Sequence, residues 1–295
     1  MNKTKLWLKK LYFKYWLRTP KRIISWLYSY VLGKEMNWNN PQDLNEKINW
    51  LKVYGDTSMW PLLADKYKVR EYVKDKGLEG LLVPLYKKWN TADDIDFDSL
   101  PSQFVLKTNH GSGEILVVKD KSALNIDRVR NDVSRWLKEK YGFLQGEPHY
   151  LKIKPVVIAE KLLEETNNTF STSLVDYKVW CFNGNPYCVW ACYSRTKDGT
   201  YVGTYDLNWD YHPEWSVFTE HYKDGGPIVP KPKSFEEMIN AATILSDGFP
   251  EVRVDFYDVD GKLYFGEMTF TSNGGFMQFY TDDFLLQMGN QIRLQ

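Results

Sequence analysis

Apolar side chains recur at two different periods along this chain, and the change between them divides it. Leu6, Trp7, Leu11, Tyr12, Tyr15, Trp16, Ile23, Ile24, Trp26, Leu27 and Tyr30 fall at helical spacing among cations. Asn40-Pro41 signals a turn, and Leu44, Ile48 and Leu51 then predict a helix within residues 37–60. Residues 62–76 read as a charged amphipathic helix that Gly77 stops from a C′-like position. Residues 81–86 are a short strand candidate, and residues 93–100 an acidic loop or helix closed by Pro101. From Phe104 the period shortens. β-Branched and aromatic runs at 104–107, 115–119, 156–163, 176–182, 187–193, 253–257 and 262–268 predict strands, with helical runs at about 125–141 and 234–247 between them. Strands at hairpin-like spacing with few interposed helices predict an α+β fold built on antiparallel sheet. No repeat, low-complexity tract or flexible linker interrupts the chain, so its parts are expected to pack as one body.

Charge changes this picture at one end. The 295 residues hold 38 Lys and Arg against 38 Asp and Glu, a formal net charge of zero. Residues 1–34 nevertheless carry nine cations (Lys3, Lys5, Lys9, Lys10, Lys14, Arg18, Lys21, Arg22, Lys34) and no acid, leaving −9 on the remainder. Cations mixed with aromatic rings at helical spacing suit a helix lying on an anionic membrane surface, and equally a basic helix pair packed on the rest of the protein. Recurring charges argue against a signal peptide, and no apolar run is long enough to span a bilayer. The overall balance argues against a protein that coats nucleic acid. Cys181, Cys188 and Cys192 are odd in number and lack metal-ligand spacing, which favours a reducing cytoplasm and a role as buried small hydrophobes.

Four features carry candidate chemistry. In Lys107-Thr108-Asn109-His110-Gly111-Ser112-Gly113-Glu114 a strand ends in a cation, and a Gly/Ser loop leads straight into the next strand. Such a loop admits phosphate oxygens close to backbone N–H groups, although an ordinary hairpin turn has the same composition. Ile158-Ala159-Glu160-Lys161-Leu162-Leu163 is an apolar strand with an acid–base pair at its end. Asp176 and Lys178 share one face of a strand, and Arg195 lies seventeen residues beyond Lys178, across a hairpin-like spacing. Arg253 and Asp255 share a face too, and Gly261 turns the chain so that Glu267 returns beside Asp255. Two carboxylates on adjacent strands are the hard oxygen donors that Mg²⁺ on nucleotide phosphates requires.

In order and spacing these features resemble the ATP-grasp superfamily, most closely the branch named for teichuronopeptide synthesis. The resemblance runs from about residue 40 to 295. It rests on Leu44–Leu51 and Asp65-Lys66, then on Leu100-Pro101 with Phe104–Lys107 and Asn109–Gly113, and then on Glu160. Asp176-Tyr177-Lys178 with Cys181-Phe182 and Gly184, Arg253–Tyr257, and Phe265–Phe270 complete it. It implies two α+β subdomains whose antiparallel sheets clamp ATP, with a helical N-terminal extension in place of the usual N-terminal α/β domain. The implied divisions are a basic leader at 1–35, a mainly helical part at 36–100, a flap-bearing subdomain at 101–164 and a metal-bearing subdomain at 165–295.

The resemblance also implies roles. Lys66 and Lys107 would hold the nucleotide phosphates under a flap of Gly111, Ser112 and Gly113, with His110 beside it. Glu160, Lys161 and Leu163 would contact adenine, and Asp176 the ribose. Lys178 and Arg195 would steady the transferred phosphate, and Arg253 would stabilise charge on the acyl phosphate or the tetrahedral intermediate. Asp255 and Glu267 would bind Mg²⁺, with Thr269 where many relatives carry Asn, or Asn273 in its place. The implied activity is ATP-dependent carboxylate–amine ligation through an acyl phosphate, joining an amino acid or amino sugar to a uronic acid of a surface polysaccharide. The acceptor would be a saccharide or lipid-linked glycan at the inner face of the plasma membrane. A glycosyltransferase and a non-catalytic ATP-binding scaffold are the alternatives.

Several residues carry two readings. His110 could meet phosphate or serve the fold, and Asn273-Gly274-Gly275 could offer N–H donors to an oxyanion or be a plain turn. Trp180, Trp190, Trp209 and Trp215 suit a sugar platform or core packing alike. His149, His212 and His221 share no spacing and are expected at the surface.

Overall fold

A computed structural model describes residues 19–166 and 170–294. The apolar positions Leu6 to Trp16 and the cations Lys3 to Arg18 lie outside the described residues. Three helices open the described chain: α1 (Pro20–Leu32), α2 (Leu44–Tyr54) and the single turn α3 (Trp60–Leu63). A capping box starts α2, in which Asp43 accepts from the Glu46 N–H and the Glu46 carboxylate accepts from the backbone of Asp43. Leu44 and Ile48 are wholly buried and Leu51 nearly so, as their spacing predicts.

The helix expected over 62–76 is broken. Asp65 Oδ1 accepts from the N–H groups of Tyr67 and Lys68 at 2.9 and 3.1 Å, and this Asx turn launches a separate helix, α4 (Val69–Asp75). The Lys66 N–H donates to the Asn109 carbonyl at 3.0 Å, so the break fastens Lys66 to the end of a strand. Gly77, at φ +77°, closes α4 from the left-handed region, as expected.

The first sheet has order β1-β4-β2-β3, all antiparallel, from β1 (Leu85–Trp89), β2 (Phe104–Thr108), β3 (Ile115–Val118) and β4 (Val157–Glu160). The strand expected at 81–86 therefore begins later, beyond Pro84, which has no N–H for a ladder. The run at 156–163 pairs only as far as Glu160. Phe104, Leu106, Val118, Val157 and Ala159 form one core with Val129 and Val133 of α5 (Ile126–Trp136). The register puts Val105, Lys107, Ile115, Val117, Ile158 and Glu160 on the other face.

The second sheet has order β10-β9-β5-β6-β7-β8, antiparallel except for the parallel pair β7–β8. Its strands are β5 (Asp176–Phe182), β6 (Asn185–Thr196), β7 (Gly199–Tyr205), β8 (Tyr222–Asp224), β9 (Glu251–Val259) and β10 (Lys262–Thr269). β7 and β8 escape the sequence reading because glycines at 199 and 203 dilute the first and the second is three residues long. Alternation along β5 sends Tyr177, Val179 and Cys181 under α6 (Phe235–Ser246), while Trp180 and Phe182 pack against Phe284 and Met288 of α7 (Asp282–Gln291). All three cysteines are buried and unpaired, as expected.

Helix α1 is part of this body: Ile23, Ile24 and Tyr28 are buried, the latter two in one core with Met36 and Phe276. No helix among the described residues is long and apolar enough to cross a membrane.

The tightest approach of backbone to a glycine among the described residues is at Gly289 of α7, where an added Cβ would lie 2.1 Å from the Gln42 carbonyl oxygen. Alanine gains about 1 kcal/mol over glycine in a helix interior, but overpacking against unyielding backbone costs about 1–3 kcal/mol. Gly289→Ala is therefore expected to lower stability despite its better helix propensity, seen as a lower urea midpoint at unchanged slope. A raised midpoint would contradict this packing.

Candidate active site

The site starts from a register irregularity. Along β9 and β10, Tyr264 pairs with Tyr257 and Phe265 with Phe256, but Glu267 then pairs with Asp255 and Thr269 with Arg253. Gly266 is the extra residue. Without this bulge Glu267 would face the core side, because a one-residue slip reverses every side chain. A Cβ at 266 would lie 2.9 Å from the Asp255 carbonyl oxygen, so the bulge has room only for glycine. On the other side of β9, Lys178 pairs with Asp255.

Three strands thus bring a charge cluster onto one face. Lys178 Nζ lies 2.5 Å from both Asp176 Oδ2 and Asp255 Oδ2. Arg253 donates to both Asp255 oxygens, at 2.7 and 2.8 Å, and to Ser272 Oγ at 3.0 Å and Thr269 Oγ1 at 3.3 Å. Arg195 reaches Asp176 at 3.2 Å. Lys66 Nζ closes the ring, donating to the Gly111 carbonyl at 2.7 Å and meeting Glu267 Oε2 at 3.0 Å. Burial works against the charge on Glu267, but Lys66, then Lys178 and Arg253, hold its pKa well below the usual carboxylate range. Burial likewise opposes the charge on Lys178, and Asp176 with Asp255 outweighs it, raising that pKa. Lys66, Lys178, Arg195 and Arg253 against Asp176, Asp255 and Glu267 leave one excess positive charge, which suits a polyphosphate.

The first sheet faces this cluster with its own pair. Lys107 Nζ is 2.6 Å from Glu160 Oε2, and Arg70 NH1 is 3.1 Å from Glu160 Oε1. Beside them Ile115 and Val117 are about half exposed on the same face, an apolar patch at the edge of a charged cleft. The Lys161 N–H donates to the Pro84 carbonyl, which ends the strand. Leu163 is half-buried beyond it. Asn109 roots the glycine-rich loop: its N–H and side chain exchange bonds with Val156 at 3.1 and 2.8 Å. Ser112 and Gly113 stand exposed at the tip. His110 is buried, with Nε2 3.1 Å from the Glu139 carbonyl, and so turns into the body instead of the loop.

Of the expected residues, the structure gathers Lys66, Asp176, Lys178, Arg195, Arg253, Asp255, Glu267 and Thr269 into one cluster and Lys107 with Glu160 into a second. Asp176 sits with the carboxylates of the second sheet, not with Glu160 and Lys161. Asn273 donates to the Phe276 carbonyl at 2.8 Å, so it is engaged in its own turn, whereas Thr269 Oγ1 lies 3.3 Å from Glu267 Oε1. The tryptophans pack: Trp180 donates to the Tyr280 hydroxyl at 2.9 Å, Trp190 stacks on Phe279 at 4.5 Å, Trp209 on Tyr205 at 4.5 Å and Trp215 on Phe284 at 4.3 Å.

Among the described residues no group of three or more His, Cys, Asp or Glu is placed to hold a metal by itself. The donor set nevertheless fits Mg²⁺ carried on phosphate: Glu267 is partly open, Asp255 adjoins it across the bulge, and both are hard oxygen donors. The remaining positions would fall to phosphate and water.

Sequence reading missed a ladder on α2. Asn45, Asn49 and Lys52 stand on one helical face. Asn45 exchanges two 2.9 Å bonds with the backbone of Met277, Asn49 donates to the Gly275 carbonyl at 2.7 Å, and Lys52 donates to that of Gly274 at 2.7 Å. The sequence signal for it is a polar stripe at i, i+4 and i+7 beside the apolar stripe of Leu44, Ile48 and Leu51. The ladder holds Asn273-Gly274-Gly275, all at positive φ, next to Ser272 and Arg253. Below the turn, Thr271 donates to Glu147 at 2.6 Å, and His149 is buried against Trp60 and Tyr150. The expectation of a surface His149 is thereby corrected. An imidazole among aromatic rings adds nothing to the hydrophobic periodicity that sequence reading uses.

These two facing sheets, with a glycine-rich hairpin and paired carboxylates between cations, define an ATP-grasp fold. A family model described as TupA-like ATPgrasp matches residues 46–293, and the chain belongs to that family. Among solved structures it is similar to a D-alanine–D-alanine ligase from Bacillus anthracis, with 16% identity over 85% of this chain and 69% of that one, at TM-score 0.44. It is also similar to the ATP-grasp ligase PsnB complexed with minimal precursor (13%, 76% and 59%, 0.41). A third is N5-carboxyaminoimidazole synthetase from Staphylococcus aureus complexed with ADP (15%, 70% and 44%, 0.38). The chain thus spans about half to two thirds of their length. No match is found among curated proteins.

Burial, followed by the charge of Lys52, pushes the His149 pKa down to about 3. The imidazole then ionises below pH 6.5 in the unfolded chain but stays neutral in the fold, so its contribution is present above pH 6.5 and lost as pH falls toward 3. By pH 5 the loss is about 2 kcal/mol. His149→Phe, which keeps the ring contacts, should reduce the fall in stability between pH 7 and pH 5 by that amount in urea melts. Parallel stability curves for the two proteins would refute it.

Proposed function

We propose that the protein is an ATP-dependent carboxylate–amine ligase that works through an acyl phosphate. The observation that carries this reading is the cluster of Lys178, Arg253, Asp255 and Glu267 on one face, closed by Lys66 beneath a glycine-rich hairpin. A carboxylate oxygen of the substrate attacks the γ-phosphorus, the bond to the β-phosphate oxygen breaks, and acyl phosphate and ADP result. An amine then attacks the acyl carbon. The C–O bond to phosphate breaks, phosphate leaves, the amine loses its proton and an amide forms.

Each residue has a part in this scheme. Lys107 and Lys66 hold phosphate oxygens, and Lys66 links their occupancy to the hairpin through the Gly111 carbonyl. Glu160, Lys161 and Leu163 border the base, for which Ile115 and Val117 supply apolar cover. Lys178 and Arg195 steady the phosphoryl group in flight, with Asp176 orienting both cations. Arg253, fixed by Asp255 and Ser272, stabilises oxyanion charge at the acyl carbon. Asp255 and Glu267, with Thr269, would hold Mg²⁺, which supplies neutralisation of phosphate charge when bound. Closure of Gly111, Ser112 and Gly113 excludes water from an intermediate that would otherwise hydrolyse.

For substrates, we infer an amino acid or amino sugar and a uronic acid, the latter in a surface saccharide or on a lipid-linked glycan at the inner face of the membrane. This reading is supported by family membership alone. The test is incubation with ATP, Mg²⁺, uronate saccharides and mixed amino acids, followed by mass spectrometry. ADP and a product at the summed substrate masses less water are expected; absence of ATP binding would sink the ligase reading. Arg253→Met should lower kcat by about 10²–10³ while leaving ATP binding intact. Glu267→Gln should shift activation to higher Mg²⁺; unchanged Mg²⁺ dependence in both Glu267→Gln and Asp255→Asn would remove the metal assignment.

A further inference from the structure

Helix α1 has two faces of opposite character. Ile23, Ile24 and Tyr28 are buried, with Leu27, Val31 and Leu32 around them. On the opposite side Arg22, Trp26, Ser29 and Tyr30 form an exposed stripe at spacings of three and four. Trp26 is 58% and Tyr30 75% exposed, and their rings stack at 5.3 Å with only 12° between planes. Two large rings projecting side by side into water are a costly surface unless something covers them.

Charge says what covers them. Residues 1–34, the end of the chain to which the stripe belongs, hold nine cations and no acid, of which Lys21, Arg22 and Lys34 are among the described residues, whereas the remainder of the chain carries −9. An anionic surface therefore attracts this end and repels the rest, which orients the molecule before contact. Indole and phenol rings settle at the boundary between headgroups and acyl chains, and neighbouring cations meet anionic headgroups there. A polyanion alone would satisfy the cations and leave the rings in water. A second copy of this chain would satisfy the rings and bring like charges together.

We propose that the outer face of α1, centred on Trp26 and Tyr30, docks on an anionic lipid bilayer. Its inner face packs on Phe276, which follows the Gly274-Gly275 turn, so docking places the bilayer next to the helix that backs this turn.

The full chain is tested by co-sedimentation with mixed phosphatidylglycerol–phosphatidylcholine vesicles and with phosphatidylcholine vesicles alone. Binding is expected to the mixed vesicles only and to weaken as salt is raised. Trp26→Ser combined with Tyr30→Ser should weaken it about tenfold or more, and Arg22→Glu should weaken it further. Both rings are exposed, so thermal unfolding of the double variant should match that of the unaltered protein, which separates lost docking from lost folding. Equal binding by the double variant, equal binding to both vesicle types, or no binding by the unaltered protein would each overturn the proposal. Dimerisation abolished by the double variant, without lipid binding, would reassign the face to a second copy. No nucleotide or acceptor is present in this assay, so its outcome stands apart from that of the ligase test.

Discussion

Bringing Asp255 and Glu267 onto one face of a sheet is the constraint on which the rest of the site depends. A strand presents alternate residues to opposite sides, and the regular register of β9 and β10 would send the Glu267 side chain into the apolar core. The extra residue at Gly266 reverses that parity while leaving Phe265 and Met268 in the core on either side of it. The carboxylates then need cations, because a buried Asp255 and a partly buried Glu267 side by side repel at low effective dielectric. Lys178 comes from the neighbouring strand in direct register, and Arg253 from two residues along Asp255's own strand.

The cluster pairs each carboxylate with cations and keeps one positive charge in excess, which suits an anionic guest. Breaking one buried ion pair leaves its partner uncompensated, which costs about 3–5 kcal/mol, so these side chains hold one another in place. Lys66 differs from the others because it bridges the hairpin carbonyl of Gly111 and the carboxylate of Glu267. A phosphate competing for Lys66 would thus be felt at both the hairpin and the carboxylate pair. The broken helix before α4 serves this arrangement, since a continuous helix through Asp65 would not tie Lys66 to Asn109.

The N-terminal helices do structural work at the other side of the cleft. α2 reads the backbone of the 274–277 segment through Asn45, Asn49 and Lys52, and α1 covers Phe276 behind it. α2 is joined to this segment through buried polar bonds, whereas α1 holds it through apolar packing on Phe276. The segment next to Arg253 is therefore held by residues more than 200 positions away in the chain.

Much of this was legible in the order of residues. Local periodicity located eight of the ten strands' neighbourhoods, with shifted bounds, and identified the α+β character, and the same-face pairs Asp176/Lys178 and Arg253/Asp255 follow from alternation alone. The burial of Leu44, Ile48 and Leu51 and of the three cysteines followed from apolar character and spacing. What local pattern does not encode is contact between distant segments. The parity change at Gly266, the Arg70–Glu160 pair, the burial of His149 and the hold of α2 on the Gly275 turn each depend on which backbone lies opposite. So does the division of α1 into a packed face and an open one, since its apolar residues surround the helix and only docking against Met36 and Phe276 chooses between them. The sequence by itself determined which residues could carry charge and chemistry and which strands would display them. Tertiary structure decided which of them meet, because side-chain partners across a sheet are selected by register and long-range packing, quantities that no local period contains.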